Sequence, residues 1–374
     1  MKITNVRTTP LSLPLRQAYH WGQATVERAR TVLVEVETDE GITGIGETMI
    51  WGAAAAELSI LRGEAPLFVG ESPFDIQRLL DRSYRRNSLV QTTRYANQVF
   101  AGVEMALWDL IGKAAGQPVH RLMGGSVHRD IQYFGFLQGE TPEDLGADAR
   151  RAVTDGFEVM YVKVGRGEDL DLRIVAAVRE AIGDRRLRLD ANENWDVLTA
   201  IRMINKLAPF NPEFVEQPTP SHSIEALANV RAAVDVPIAA DQSVYTIADV
   251  YEVCRRRAAD VIVLGLHESG GLMGLKKAAA VAEAVGINIC VHGVFETGIT
   301  TCASNQVLVT IPNLDDGNQI MYQLLEEDIV ASPDLTHTKG RLGVLQGPGL
   351  GFELDRNAVN RAAERFIKEE GTMG

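Results

Sequence analysis

Three carboxylates close three successive apolar runs of this 374-residue chain: Asp190 in LRLDANENW, Glu216 in FVEQPTP and Asp241 in PIAADQS. A single acid at a strand end is ordinarily a helix cap or the partner of a surface cation. Three at successive ends crowd like charges together, an arrangement that needs a cation between them. Hard oxygen donors without thiolate or imidazole select Mg²⁺, which keeps positions open for water or substrate. The HExxH and paired CxxC patterns of zinc sites are absent. Lys163, in EVMYVKVGRG, closes the run before Asp190, and His292, in NICVHG, closes a run beyond Asp241. A lysine beside a divalent cation and partly removed from water has its pKa depressed, and its neutral amine is a general base. The metal would stabilise the oxyanion formed when a proton leaves the carbon next to a carboxylate. Tyr161 precedes Lys163 by two residues and so shares its face of a strand. The plainer alternative for Tyr161 is a core tyrosine with its hydroxyl paired.

These residues fall in a repeat. The apolar runs IQYFGFLQ, VMYVKVG, LRLDAN, FVEQP, PIAADQ, VIVLGL, NICVHG and, weakly, GNQIM alternate with amphipathic stretches. From Gln138 through Lys163, Asp190, Glu216, Asp241, His267 and His292 to Asn318 the intervals are 25, 27, 26, 25, 26, 25 and 26 residues. That is the length of one strand plus one helix. Eight such units predict an α/β fold, a (β/α)8 TIM-type barrel over residues 126–325, with its active site at the C-terminal ends of the strands. Residues 1–125 differ. RTVLVEVETDEGITGIGETMI reads as a hairpin about DEG, and RYANQVFAGVEMALWDLIGKAAG as a helix stopped by glycine, together an α+β unit. Residues 326–374 are first glycine-rich and then helical, and are predicted to return to the N-terminal unit.

Bulk properties narrow the function. A net charge of −13 repels nucleic acid and anionic membrane, so neither is expected as a partner. Three cysteines, Cys254, Cys290 and Cys302, without a CxxC pair fit a reducing compartment. The N-terminus MKITNVRTTPLSLPL alternates like a strand and lacks the apolar core of a signal peptide. No run reaches the length of a membrane span. A cytoplasmic protein is the expectation.

At LDAN, VEQP, AADQS, SGG and NLDDG, in that order, the chain resembles the mandelate racemase and muconate lactonizing branch of the enolase superfamily. The resemblance spans nearly the whole chain. It implies an α+β capping domain completed by the C-terminal segment, a modified barrel, a homo-oligomer, and Mg²⁺ held by Asp190, Glu216 and Asp241. It further implies that the cap loop RQAYHWGQA, with His20 and Trp21, closes over a small carboxylate substrate. Departures accompany it. Relatives commonly carry Lys-x-Lys on the second barrel strand; here Tyr161 replaces the first lysine and Lys163 matches the second, the base. His292 falls where mandelate racemase has its histidine, but the sixth strand offers Gly265 in place of a catalytic lysine or an aspartate partner. His267, two residues on, would share the face of Gly265 and fill that space as an acid or substrate contact; the alternative is a histidine satisfied in the following loop. Asn192 and Gln319 are candidate substrate hydrogen-bonders. These departures leave racemisation, epimerisation, cycloisomerisation and acid-sugar dehydration open. A non-catalytic metal-binding barrel and a metal-dependent aldolase stand as rivals from other classes.

Overall fold

The computed structural model describes residues 1–21, 24–49, 54–86 and 93–371, without the side chains of His20, Trp21, Ala24, Ala54, Ala55 and Thr93. The chain opens as an antiparallel meander of β1 (Ile3–Trp21), β2 (Ala24–Thr38) and β3 (Thr43–Met49). Helices α1 (Ala54–Phe68), α2 (Ile76–Arg86), α3 (Thr93–Ala115) and α4 (Val119–Leu122) follow. The TGIGE spacing puts Gly44 and Gly46 on one face of β3, and that face meets α3. A Cβ at Gly46 would stand 2.0 Å from the carbonyl oxygen of Gly102, so the contact is possible only between backbones.

The chain next pairs β4 (Asp130–Gln132) away from the barrel and begins the barrel with β5 (Gly135–Phe136). Then come α5 (Pro142–Thr154), β6 (Val159–Lys163), α6 (Glu168–Ile182), β7 (Arg186–Asp190) and α7 (Val197–Leu207). They are followed by β8 (Phe214–Glu216), α8 (Ile224–Ala233), β9 (Ile238–Ala240) and α9 (Ile247–Arg256). The run ends with β10 (Val261–Gly265), α10 (Leu272–Glu283), β11 (Asn288–His292) and α11 (Gly298–Leu308). Strands β5 to β11 form one parallel sheet in chain order. Covered by helices outside and packed inside, they read as nearly unbroken apolar runs. Thr141 with Asp144 and Thr246 with Asp249 form capping boxes that start α5 and α9, and Asp196 and Ser223 cap α7 and α8.

The barrel is modified at its seam. Where the repeat predicts an eighth strand, residues 314–318 make two isolated parallel bridges, Leu314 to Ile289 and Asn318 to Tyr133. The predicted first strand IQYFGFLQ is also divided: β4 pairs antiparallel with β13 (Arg341–Gly343), and β5 alone enters the sheet. Gln138 and His267 therefore lie two residues beyond the ends of β5 and β10, not at strand ends.

After β12 (Val330–Ser332), β13 and β14 (Glu353–Leu354), the last helix α12 (Arg356–Glu370) returns to the N-terminal sheet. Ser12 Oγ donates to Glu369 at 2.8 Å, and Arg356 donates to Glu35 at 2.6 Å. No described helix is long and apolar enough to cross a membrane.

Two buried acids of the N-terminal unit tie it to the barrel. Glu47 of β3 accepts from Thr297 N at 2.9 Å and Thr300 Oγ1 at 2.8 Å, at the start of α11. Glu104 of α3 accepts from Leu272 N at 2.8 Å and Met273 N at 3.0 Å, capping α10, whose own N-cap is the side-chain-free Gly271. Burial pushes the Glu104 carboxyl up to about 7, against the hydrogen bonds it accepts. The folded protein thus holds this proton more tightly than the unfolded chain, where glutamate titrates near 4.5. The contribution is fullest below the lower value and is lost as pH rises through the upper one. Glu104→Gln is expected to lower stability by about 2 kcal/mol and to flatten the fall of the urea midpoint across that window. An unchanged pH slope would count against this assignment.

Candidate active site

The parallel register aligns the functional side chains. Lys163 pairs with Asp190, and Asp190 with Glu216, as direct neighbours on β6, β7 and β8. Asp241 follows β9, its backbone N–H held at 3.0 Å by Gln217 Oε1, the glutamine of VEQP. On the other side of the acids, β10 and β11 pair Gly265 with His292. A cavity of about 230 Å³ opens over these ends. Lys163, Tyr161, Glu216, Asp241 and His292 line it, as do Asn192 and Gln319. Asp190 is fully buried just behind them, bonded to Lys163 Nζ.

Each carboxylate is held by identifiable partners. The Tyr161 hydroxyl stands 2.5 Å from Asp190 Oδ2 and 2.9 Å from Glu216 Oε1, while its ring stacks on Phe134 with centroids 4.5 Å apart. Asn192 N donates to Asp190 Oδ1 at 2.7 Å, and Gln319 Oε1 accepts from Gly293 N at 3.0 Å. His292 Nε2 is 2.5 Å from Glu268 Oε2 and 3.4 Å from Asp241 Oδ1. Burial, then the charges of Asp190 and Asp241, raise Glu216 well above the carboxylate range. Burial raises Asp241 to about 7, with His292 pulling it down and Glu268 and Asp190 pushing it up.

One expectation needs correction. His267 does not reach the cavity: it is buried, and its ring Nε2 lies 2.9 Å from the carbonyl oxygen of Glu47 in the N-terminal unit. The strand ends at Gly265, so the alternation that would have placed His267 over the mouth stops there. Burial lowers its pKa, as for a neutral structural imidazole. Among the acids alone Lys163 is raised: burial acts against the ammonium, but Asp190, Tyr19 and Glu216 outweigh it, so the depressed value stays an expectation for the enzyme with a cation beside the amine. A neutral amine at this position therefore requires further positive charge among the acids. Tyr161, for its part, bonds two of the acids. The side chains of His20 and Trp21 lie outside the described residues.

Several cavity residues escaped the sequence reading. Glu268 is the foremost, next to the histidine that drew attention. Tyr19, the neighbour of His20, packs edge-on against Phe295 with centroids 4.8 Å apart and lines the cavity from the N-terminal unit. Tyr245 and Met49 also line it. Tyr19 lies in RQAYHWGQA, the loop singled out for His20 and Trp21.

The donor set fits a hard divalent cation. Buried carboxylates this numerous are stable only with matching positive charge, and Asp190, Glu216 and Asp241 have drawn Lys163 and His292 towards them. Asp241, Glu268 and His292 also bring ligand-capable atoms within 4.8 Å of one another.

Comparison with known proteins gives a consistent result. Residues 3–124 match the family described as mandelate racemase / muconate lactonizing enzyme, N-terminal domain, and residues 144–358 the family described as enolase C-terminal domain-like. Muconate cycloisomerase 1 of Rhodococcus opacus is 31% identical over 96% of this chain and 98% of its own length. The L-Ala-D/L-Glu epimerase of Bacillus subtilis is 30% identical over 94% and 97%. The crystal structure of a dipeptide epimerase from Cytophaga hutchinsonii, complexed with Mg and D-Ala-L-Val, superposes with a TM-score of 0.90 at 25% identity, covering 96% of this chain and 98% of that one.

Proposed function

Since the chain belongs to the mandelate racemase / muconate lactonizing enzyme family of the enolase superfamily, we propose that it isomerises a small carboxylate by moving the proton on its α-carbon. The supporting observation is the placement of Lys163 and His292 on either side of one row of acids, lining one cavity. Lys163 takes the proton on one face and His292 serves the other, the arrangement a racemase, epimerase or cycloisomerase needs. Mg²⁺ is the proposed cofactor, held by Asp190, Glu216 and Asp241, where it would stabilise negative charge building on the substrate carboxylate. Tyr161 fixes two of those carboxylates, and Asn192 and Gln319 offer hydrogen bonds at the rim. Residues 1–125 and 326–374 form the cap and residues 126–325 the catalytic barrel in this reading.

A second reading, dehydration of an acid sugar or other hydroxy acid, is favoured by the two carboxylates that touch His292. They raise the pKa of the imidazole, against the cost of its burial, and an imidazolium can deliver its proton to a departing hydroxyl.

The test is incubation with Mg²⁺ in D2O of a panel of hydroxy acids, dipeptides and unsaturated diacids, read by NMR. Deuterium at the α-carbon with inverted or rearranged product is the expected result, and a keto acid would select dehydration. Turnover of any panel member that leaves deuterium neither at the α-carbon nor at C3 of a keto acid product would overturn the mechanism.

A further inference from the structure

The ladder partner of His292 on β10 is Gly265, so the neighbouring strand offers the imidazole no side chain. The space is nonetheless filled. A Cβ at Gly265 would stand 2.4 Å from Glu268 Oε2 and 2.7 Å from His292 Nε2. The carboxylate arrives from three residues further along, brought back by a tight turn. Ser269 N donates to Gly265 O at 2.9 Å and Gly271 N to Leu266 O at 2.9 Å. Gly270 and Gly271 adopt φ of 79° and 107°, which the SGG sequence permits. The turn sends His267 towards Glu47 and Glu268 towards His292. Asn97 Nδ2 fixes the Glu268 backbone carbonyl at 2.7 Å. The Tyr245 hydroxyl lies beside the Glu268 carboxylate, and the residue is only 7% exposed.

We propose that Glu268 is the positioning residue of His292, supplying from the turn the carboxylate that a side chain at 265 would supply from the strand. The proposal rests on the reading of His292 as a proton-transfer group. Glu268 accepts the Nε2 proton and fixes the ring plane, which leaves the Nδ1 proton to be exchanged. On transfer the Nδ1–H bond breaks, a C–H bond forms at the substrate, and the neutral imidazole keeps its bond to Glu268. Asp241, the other carboxylate beside the ring, is farther away at 3.4 Å and is assigned to the cation. Gly265 is then required, because any side chain there would displace Glu268.

The rival is that Glu268 and His292 are themselves metal ligands with Asp241, and Mg²⁺ affinity separates the two. The full-length enzyme is compared with Glu268→Gln, which keeps the packing, and Glu268→Ala, by calorimetric Mg²⁺ titration, α-deuterium exchange and crystallography of the Mg²⁺ form. Expected are turnover lowered about 10- to 100-fold, exchange initiated by Lys163 and Mg²⁺ affinity both within about threefold, and a His292 ring that leaves its place in the alanine variant. Equal loss of turnover and Lys163-initiated exchange, a loss of Mg²⁺ affinity of about tenfold or more, or an unmoved imidazole would each overturn the proposal. Should no acid be turned over by the unaltered enzyme, the proposed reaction fails by itself, and the crystallographic comparison still decides the role of Glu268.

Discussion

Lys163→Met is expected to lower turnover by about 10³- to 10⁴-fold while Mg²⁺ continues to bind, the loss that follows removal of a positioned general base. Methionine matches the lysine stem in length and keeps the packing at the end of β6, so the change isolates the amine. The amine has a second role that must be told apart from the first, because its contact with Asp190 also neutralises a buried acid. Lys163→Arg makes that distinction. Arginine keeps the charge beside Asp190 but cannot shed its proton in the working pH range. Both variants should therefore lose α-deuterium exchange on the face that Lys163 serves. An arginine variant within about tenfold of the unaltered enzyme would reduce Lys163 to a counter-ion, and the base would have to be sought elsewhere. The raised pKa of Lys163 sharpens the question. Among these carboxylates the ammonium is the favoured form, so base function depends on the added positive charge of a cation.

Much of the fold was legible because a parallel barrel repeats its register. Lys163, Asp190 and Glu216 fall at near-constant intervals since each strand begins one helix after the last, and the ladder makes them neighbours. Reading failed where the repeat is broken by turns. His267 was placed by carrying strand alternation two residues beyond Gly265, but the chain bends there, and the next residue, Glu268, reaches the cavity instead. A glycine at 265 was read as a missing partner, whereas it is the space into which that partner folds. Tyr161 was legible by parity with Lys163, but not its bonds to Asp190 and Glu216, since these depend on strands that meet only in three dimensions. Tyr19 enters from a different unit altogether, and no local pattern links it to the barrel.

The eighth strand is the remaining discrepancy, and it identifies the residue with the largest expected effect on stability. GNQIM is too weak a run to pair along its length, and a fully buried arginine takes over the work of the absent ladder. Arg188 of β7 points into the barrel beneath Asp190. Its Nη2 donates to Asp316 O at 2.6 Å, its Nη1 to Gly317 O, and its Nε to Glu213 Oε2 at 2.7 Å. The guanidinium also lies 4.7 Å over the ring of Phe214. One planar fork thus satisfies two carbonyls that an eighth strand would otherwise have bonded, and it pins the segment carrying Asn318 and Gln319 to β11. Arg188→Met fills the volume but leaves the buried Gly317 carbonyl without its donor, and the partly buried Asp316 carbonyl and Glu213 carboxylate without their cation. It is expected to lower stability by about 3–5 kcal/mol, the cost of breaking a buried ion pair from one side. Arg188→Lys should fall between, because a single ammonium cannot span three acceptors. Urea unfolding of both variants measures this, with Lys163-initiated exchange as a second readout of whether Gln319 still borders the cavity. A methionine variant within about 1 kcal/mol of the parent would show that the seam is held by its backbone bridges and not by the arginine.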